Sequence, residues 1–285
     1  MIEHVIQLIA AAALMYLVSE WSKVEGTEGY TFSLYPWITT LPETITTVML
    51  ALSGYYVAAL YNSVFSAVFD LAVGLGIVAL LYGPVEFRIV DLVGIAAASA
   101  LVFCITDIDG IITFGEGLML YAVLFFAIAY SVARYGLLKR RATHEDIFKT
   151  VVGLVLLAML GFWYYMNVEA LIPYLGEKLG GIVSAVLTSL PDVVVAAVYG
   201  LMESEAQAEL VGAIMHDFVE NVPTAAIVVG LFGGYIVDSN PMLTIAAAAV
   251  TASTLVFVAS YRRVTKFEGI VLLLLFLICA YLAVV

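Results

Sequence analysis

The sequence predicts an all-α membrane protein of ten transmembrane helices, folded as two inverted five-helix repeats. Three observations predict it. Of the 285 residues, 64% are hydrophobic and only 12% charged, whereas a soluble domain carries about a quarter charged residues. The apolar runs are continuous over about 20 residues and do not alternate, which fits spanning helices and not a β-barrel. And one motif occurs twice: Thr39-Thr40-Leu41-Pro42-Glu43 is echoed by Thr188-Ser189-Leu190-Pro191-Asp192.

In chain order, the spans fall at 2–18, 30–53, 56–82, 89–106, 111–135, 148–168, 175–202, 207–236, 241–260 and 267–285. Gly54, Gly83-Pro84, Asp107-Ile108-Asp109-Gly110 and Asn240-Pro241 punctuate them. The first run opens with Glu3 and His4 in place of the basic start of a signal peptide, so it reads as a retained span. With both termini outside, the loops after spans 1, 3, 5, 7 and 9 are cytoplasmic. These loops and their flanks hold ten of the eleven Lys and Arg residues, all but Lys178, as the positive-inside rule requires. Asp107, Asp109, Glu116 and Asp238 then lie on the outer side. The net charge of −12, with few basic residues at helix ends, is not a nucleic-acid signature. Cys104 and Cys279, far apart in apolar runs, read as free thiols.

A basic linker at 138–146 divides the chain into halves at 1–137 and 147–285, with five spans each. An odd number of spans makes the second half enter from the opposite side, so two similar halves form an inverted repeat. Such repeats place a substrate site near the midplane, where interrupted helices meet. Each proline-containing motif falls in the second span of its half. Pro42 lacks an N–H and crowds the carbonyl of Ile38, and Pro191 does the same to Leu187. Carbonyls freed in this way need a partner within a bilayer. A cation is one, with Glu43 and Asp192 supplying charge and Thr39, Thr40, Thr188 and Ser189 supplying neutral oxygens. Carboxylates deep in a membrane are rarely kept without a task.

A second polar cluster follows each motif. In the first half, Ser66 and Asp70 share a helical face at i, i+4. In the second half, Asp217 and Asn221 share one face and His216 and Glu220 the adjacent one, which reads as a polar stripe lining an internal cavity. Gly74, Gly76, Gly230, Gly233 and Gly234 permit close helix contact.

These motifs resemble those of the sodium/calcium exchanger superfamily of cation antiporters. That family carries Thr-Ser-Leu-Pro-Glu on one helix of each repeat and Gly-Asn-x-x-Gly-Ser-Asn-x-x-Asn/Asp on the next. Here, Thr39–Glu43 with Asn62–Asp70 is similar to the first pair, and Thr188–Asp192 with Gly212–Asn221 to the second. Ser19-Glu20-Trp21 is similar to the polar end of the family's first helix. The resemblance implies a secondary antiporter with no tightly bound cofactor, exchanging Ca²⁺ or another divalent cation for Na⁺ or H⁺. It implies that Glu43, Asp192, Thr39 and Thr188 bind the divalent ion, and that Ser66, Asp70, Asp217 and Asn221 form flanking Na⁺ or H⁺ sites. The chain departs from the pattern in the shorter Asp192, in Ala67 and Ala213, in His216 and Asp217, and in the additional Glu220. The extra ionisable groups lean toward protons as the counter-ion and leave Na⁺ open.

Two rival classes remain. An intramembrane metal-dependent hydrolase could use His216, Asp217 and Glu220, but there is no His-Glu-x-x-His and both His4 and His144 are peripheral. A passive cation channel could share the same polar residues. The antiporter is the leading reading, and it is not an enzyme.

Overall fold

The computed structural model describes residues 2–22, 34–86, 111–135, 143–198, 221–232, 236–237 and 263–285. Nine α-helical segments lie among them: α1 (Ile2–Ser22), α2 (Leu34–Leu52), α3 (Tyr56–Phe69), α4 (Leu75–Tyr82), α5 (Phe114–Tyr135), α6 (His144–Leu175), α7 (Glu177–Val198), α8 (Val222–Phe232) and α9 (Lys266–Val284). A π-helical turn, Asp70–Gly74, joins α3 to α4. Among the described residues, four stretches are long and apolar enough to cross a membrane: Ile2–Ser19, Tyr56–Tyr82, His144–Leu175 and Lys266–Val284. The chain is thus a mostly helical integral membrane protein. The expected spans at 89–106 and 241–260 lie outside the described residues, as do Cys104 and most of the basic linker. Cys279 is a buried free thiol.

The α3–π–α4 rod occupies the centre. It is apolar almost all round, and a helix of that kind is stable only when every face is covered. Every residue from Ala58 to Phe69 is buried. The N–H groups that begin α3 have no partner within the helix. Those of Val57 and Ala58 donate to the Glu177 carboxylate at 3.1 and 3.3 Å, an anion placed where the helix dipole favours it. Glu177 opens α7, so α3 and α7 start at the same end of the bundle and run in the same direction. Gly54, with φ +87°, makes the turn between α2 and α3 that other residues rarely adopt.

Helix α6 is longer than the span expected at 148–168, reaching from His144 to Leu175 over 32 residues. Two local features account for the extension. Thr143 and Asp146 form a reciprocal cap at its start, with bonds of 2.7 and 3.1 Å. At the far end the helix carries Pro173 without stopping.

Two short antiparallel ladders tie the ends of the bundle. β1 (Val85–Glu86), after α4, pairs with β4 (Arg263–Val264), before α9. β2 (Ile111–Ile112), before α5, pairs with β3 (Ile236–Val237), after α8. The helix contacts beside the ladders also correspond. α4 meets α9 where a Cβ on Gly76 would lie 2.9 Å from Leu273 and 3.0 Å from the Gly269 carbonyl. α5 meets α8 where a Cβ on Gly117 would lie 2.7 Å from Ile227. Gly76 and Gly230 therefore act as contact glycines, the latter against Phe114; Gly233 and Gly234 lie outside the described residues. Both α5 and α9 open with Thr-x-x-Glu-Gly. The Thr113 and Thr265 N–H groups each donate to the following Glu, Glu116 or Glu268, at 2.6 Å.

These glycines leave no room for a side chain. Gly76→Leu or Gly269→Leu is expected to cost about 1–3 kcal/mol by forcing α4 and α9 apart. Thermal unfolding of the detergent-solubilised protein should show a drop of several degrees for either variant and none for a leucine at the open position Gly115.

Candidate cation site

Both proline motifs lie inside continuous helices, Pro42 in α2 and Pro191 in α7. One turn past the first proline, the Thr46 hydroxyl donates to the Pro42 carbonyl at 2.8 Å, giving that carbonyl a partner within its own helix. Helix α6 crosses α2 at this point. A Cβ on Gly161 would lie 3.2 Å from the Pro42 Cα.

Glu43 is 2% exposed. Its Oε1 accepts a hydrogen bond from the Ser189 hydroxyl at 2.7 Å. The Ser189 Oγ lies 2.5 Å from the Ser66 Oγ. One chain of hydrogen bonds thus joins α2, α7 and α3, and it runs from one proline motif to the other. Glu43 Oε2 is buried and has no hydrogen-bond partner.

The other expected residues distribute as follows. Thr40 is buried. Thr39 belongs to α2, but its side chain lies outside the described set. The Thr188 hydroxyl donates within α7, to the carbonyls of Ser184 at 3.1 Å and Ala185 at 3.0 Å. With its proton held there, its lone pairs remain available. Asp192 is half-buried and follows Ser189 by three residues, which makes the two neighbours on one face of α7. Asp70 is wholly buried and opens the π-helical turn, a type of distortion frequent at functional sites. Asn221 is wholly buried, π-helical in its backbone, and neither atom of its amide has a partner. His216, Asp217 and Glu220 lie outside the described residues.

Among the described residues, no three His, Cys, Asp or Glu side chains come together as a metal cluster. The groups that the hydrogen bonds bring together are a carboxylate and two hydroxyls, and the Asn221 amide is buried without a partner just before α8. That donor set suits a hard cation bound by oxygen and not a soft metal held by nitrogen and sulfur. A buried acceptor without a partner costs about 1–3 kcal/mol, and a charged one more. Glu43 Oε2 and the Asn221 amide are such groups.

Tyr164 was not singled out by the sequence. It is wholly buried in α6, and its hydroxyl donates to the Ser184 carbonyl at 2.8 Å, the same carbonyl that receives Thr188. Tyr164 therefore anchors α7 beside the site. No spacing rule separates it from the other tyrosines of this chain. The paired Thr-x-x-Glu-Gly segments at 113–117 and 265–269 were legible, through self-comparison of the halves.

If the three-helix chain is one unit, its members are not independent. Ser189→Ala should cost about 1–3 kcal/mol, because it strips Glu43 of its donor. Adding Ser66→Ala to it should cost less than Ser66→Ala alone, with a coupling of about 1 kcal/mol in a double-mutant cycle. Simple additivity in thermal unfolding would contradict the chain.

A family model described as sodium/calcium exchanger protein matches residues 5–133 and 147–285. No curated protein matches closely enough to count as a relative. Among solved structures, the fold is similar to that of the H⁺/Ca²⁺ exchanger CAX, with TM-score 0.74 and 16% identity over 97% of this chain and 82% of that one. It is also similar to the sodium-calcium exchanger NCX_Mj soaked with Na⁺ and Sr²⁺, with TM-score 0.73 and 16% identity over 97% of both chains. The family match covers nearly the whole chain in two segments that flank the basic linker, and the chain belongs to the sodium/calcium exchanger family.

Proposed function

We propose that this chain is a secondary antiporter that exchanges Ca²⁺, or another divalent cation, for Na⁺ or H⁺ by alternating access. The observation that carries the proposal is the buried Glu43 carboxylate, bound through Ser189 to the second proline motif and left with one oxygen free. Membership of an exchanger family points to transport and not to catalysis.

In this reading Glu43 and Asp192 are the charged ligands, supported by Thr39, Thr40, Thr188 and Ser189. Ser66, Asp70, Asp217, Asn221, His216 and Glu220 serve the counter-ion. With the divalent ion bound, both central carboxylates are ionised. When it leaves, protons or Na⁺ take its place, and this exchange of partners couples the two fluxes.

The ten-helix inverted arrangement belongs to the same proposal, with repeats at 1–137 and 147–285 and both termini outside. Contacts between helix ends support it. Glu177 with Val57, Tyr82 with Ala197, and His4 with Asn167 each join ends that the ten-span count assigns to one side. So do both ladders. Interchanging the halves turns the β1–β4 ladder into β3–β2, as a twofold-related pair of repeats demands.

Glu43→Gln and Asp192→Asn should each abolish divalent uptake into proteoliposomes while leaving a folded, monodisperse protein. Undiminished uptake by either variant removes the shared site. The counter-ion is decided by imposing a pH gradient with Na⁺ absent, and then a Na⁺ gradient at equal pH. We expect Ca²⁺ flux under the pH gradient, and flux under the Na⁺ gradient alone would assign sodium.

A further inference from the structure

Among the described residues, α5 reaches the bundle mainly through α8. Its Leu118, Met119, Phe125 and Phe126 are exposed, as side chains that face lipid are. The seam with α8 has three contacts. A Cβ on Gly230 would lie 2.5 Å from the Phe114 nitrogen, and Gly117 lies against Ile227. One turn further along α5 the Tyr121 hydroxyl lies 2.7 Å from the Thr224 hydroxyl.

The seam between α4 and α9 is built without such a pair. Four residues after Gly117 stands Tyr121, and four after Gly269, in the matching Thr-x-x-Glu-Gly start, stands Leu273. Leu273 makes an apolar contact, with its Cγ 2.9 Å from where a Cβ on Gly76 would be. Apolar packing resists separation but lets a helix turn about its axis. Two hydroxyls must keep both distance and angle to stay bonded, and bonds of this kind hold helices together in membranes. The Tyr121–Thr224 pair therefore fixes the rotation of α8 as well as its distance from α5.

That rotation governs Asn221. Asn221 stands three residues before Thr224, its neighbour on the helix surface. It is wholly buried, and neither atom of its amide has a partner. α8 packs in turn on α2 and α3, the helices that carry Glu43 and Ser66. An atom about 6 Å from a helix axis moves about 1 Å when the helix turns by about 10°. Hard cations hold their oxygens within a range of about 0.3 Å. We propose that Tyr121 is a positioning residue for the counter-ion: through Thr224 it sets the rotation of α8 and so the aim of the Asn221 amide. This role rests on the antiporter reading above, in which Asn221 serves the counter-ion.

The test measures radioactive calcium uptake into proteoliposomes that hold the full chain. Uptake is driven by a pH gradient without Na⁺ and, separately, by a Na⁺ gradient at equal pH. Two half-saturating concentrations are read for each chain, one for Ca²⁺ and one for the driving ion. Tyr121→Phe and Thr224→Val each remove one hydroxyl and keep the shape. We expect either to raise the half-saturating concentration of the driving ion about fivefold and to leave that of Ca²⁺ within about twofold. The double variant should shift no more than either single one, and Thr224→Ser should match the native chain. In an Asn221→Ser chain, Tyr121→Phe should shift nothing further. A driving-ion dependence unmoved by Tyr121→Phe, an equal shift for both ions, or loss of folded protein in both variants overturns the role, since each leaves the pair as packing alone. A shift that persists in the Asn221→Ser chain overturns the route through Asn221. Absence of coupled uptake by the native chain under either gradient refutes the antiporter reading itself, whereas unaltered ion dependence of the variants of a transporting chain refutes only the role of Tyr121.

Discussion

A carboxylate held inside a membrane protein with one oxygen bonded and the other bare is the constraint on which the rest of this structure depends. Glu43, at 2% exposure in an apolar bundle, needs partners for its carboxyl oxygens. Ser189 supplies one from the opposite proline motif, and Ser66 passes the bond to the central helix. The three helices that carry these groups must therefore keep a fixed register. Gly161 lets α6 lie against Pro42, Gly181 lets α7 lie against Ala58 and Tyr61, and Tyr164 anchors the Ser184 carbonyl. Each of these contacts serves to hold one turn of α7 opposite one turn of α2.

Around this centre stands a frame built from equivalent parts. One Thr-x-x-Glu-Gly start lies before the basic linker and one after it, and each ladder and each glycine contact, Gly76 with α9 and Gly117 with α8, joins a segment before the linker to one after it. The site itself is less even. Glu43 is buried and Asp192 half-buried. An acid, Asp70, opens a π-helical turn after α3, and an amide, Asn221, is π-helical just before α8.

Much of this was legible in the chain because two strong signals do not depend on tertiary context. Continuous apolar runs mark helices whatever their neighbours are, and the stretch 56–82 coincides with the α3–π–α4 rod. Proline followed by an acid in such a run singled out Glu43, and in the structure Glu43, Ser189 and Ser66 are joined by hydrogen bonds. What remained hidden depends on packing between helices. Tyr164 looks like any apolar-run tyrosine until α7 presents a carbonyl to it. The early start of α6, at His144 and four residues upstream of the expected 148, rests on a cap formed by Thr143 and Asp146. The π-helical turn at Asp70 arises from the packing around it, and no residue pattern announces it.

The central claim is that Glu43 and Asp192 close on one divalent cation between the two proline motifs. The most direct measurement is an experimental structure of crystals soaked in Sr²⁺, located by its anomalous scattering. The account predicts a single strong peak at about 2.3–2.6 Å from oxygens of both carboxylates, with Ser189 still bonded to Glu43 or turned to the ion. A peak bound by neither carboxylate, or two separate peaks each held by one of them, would contradict it.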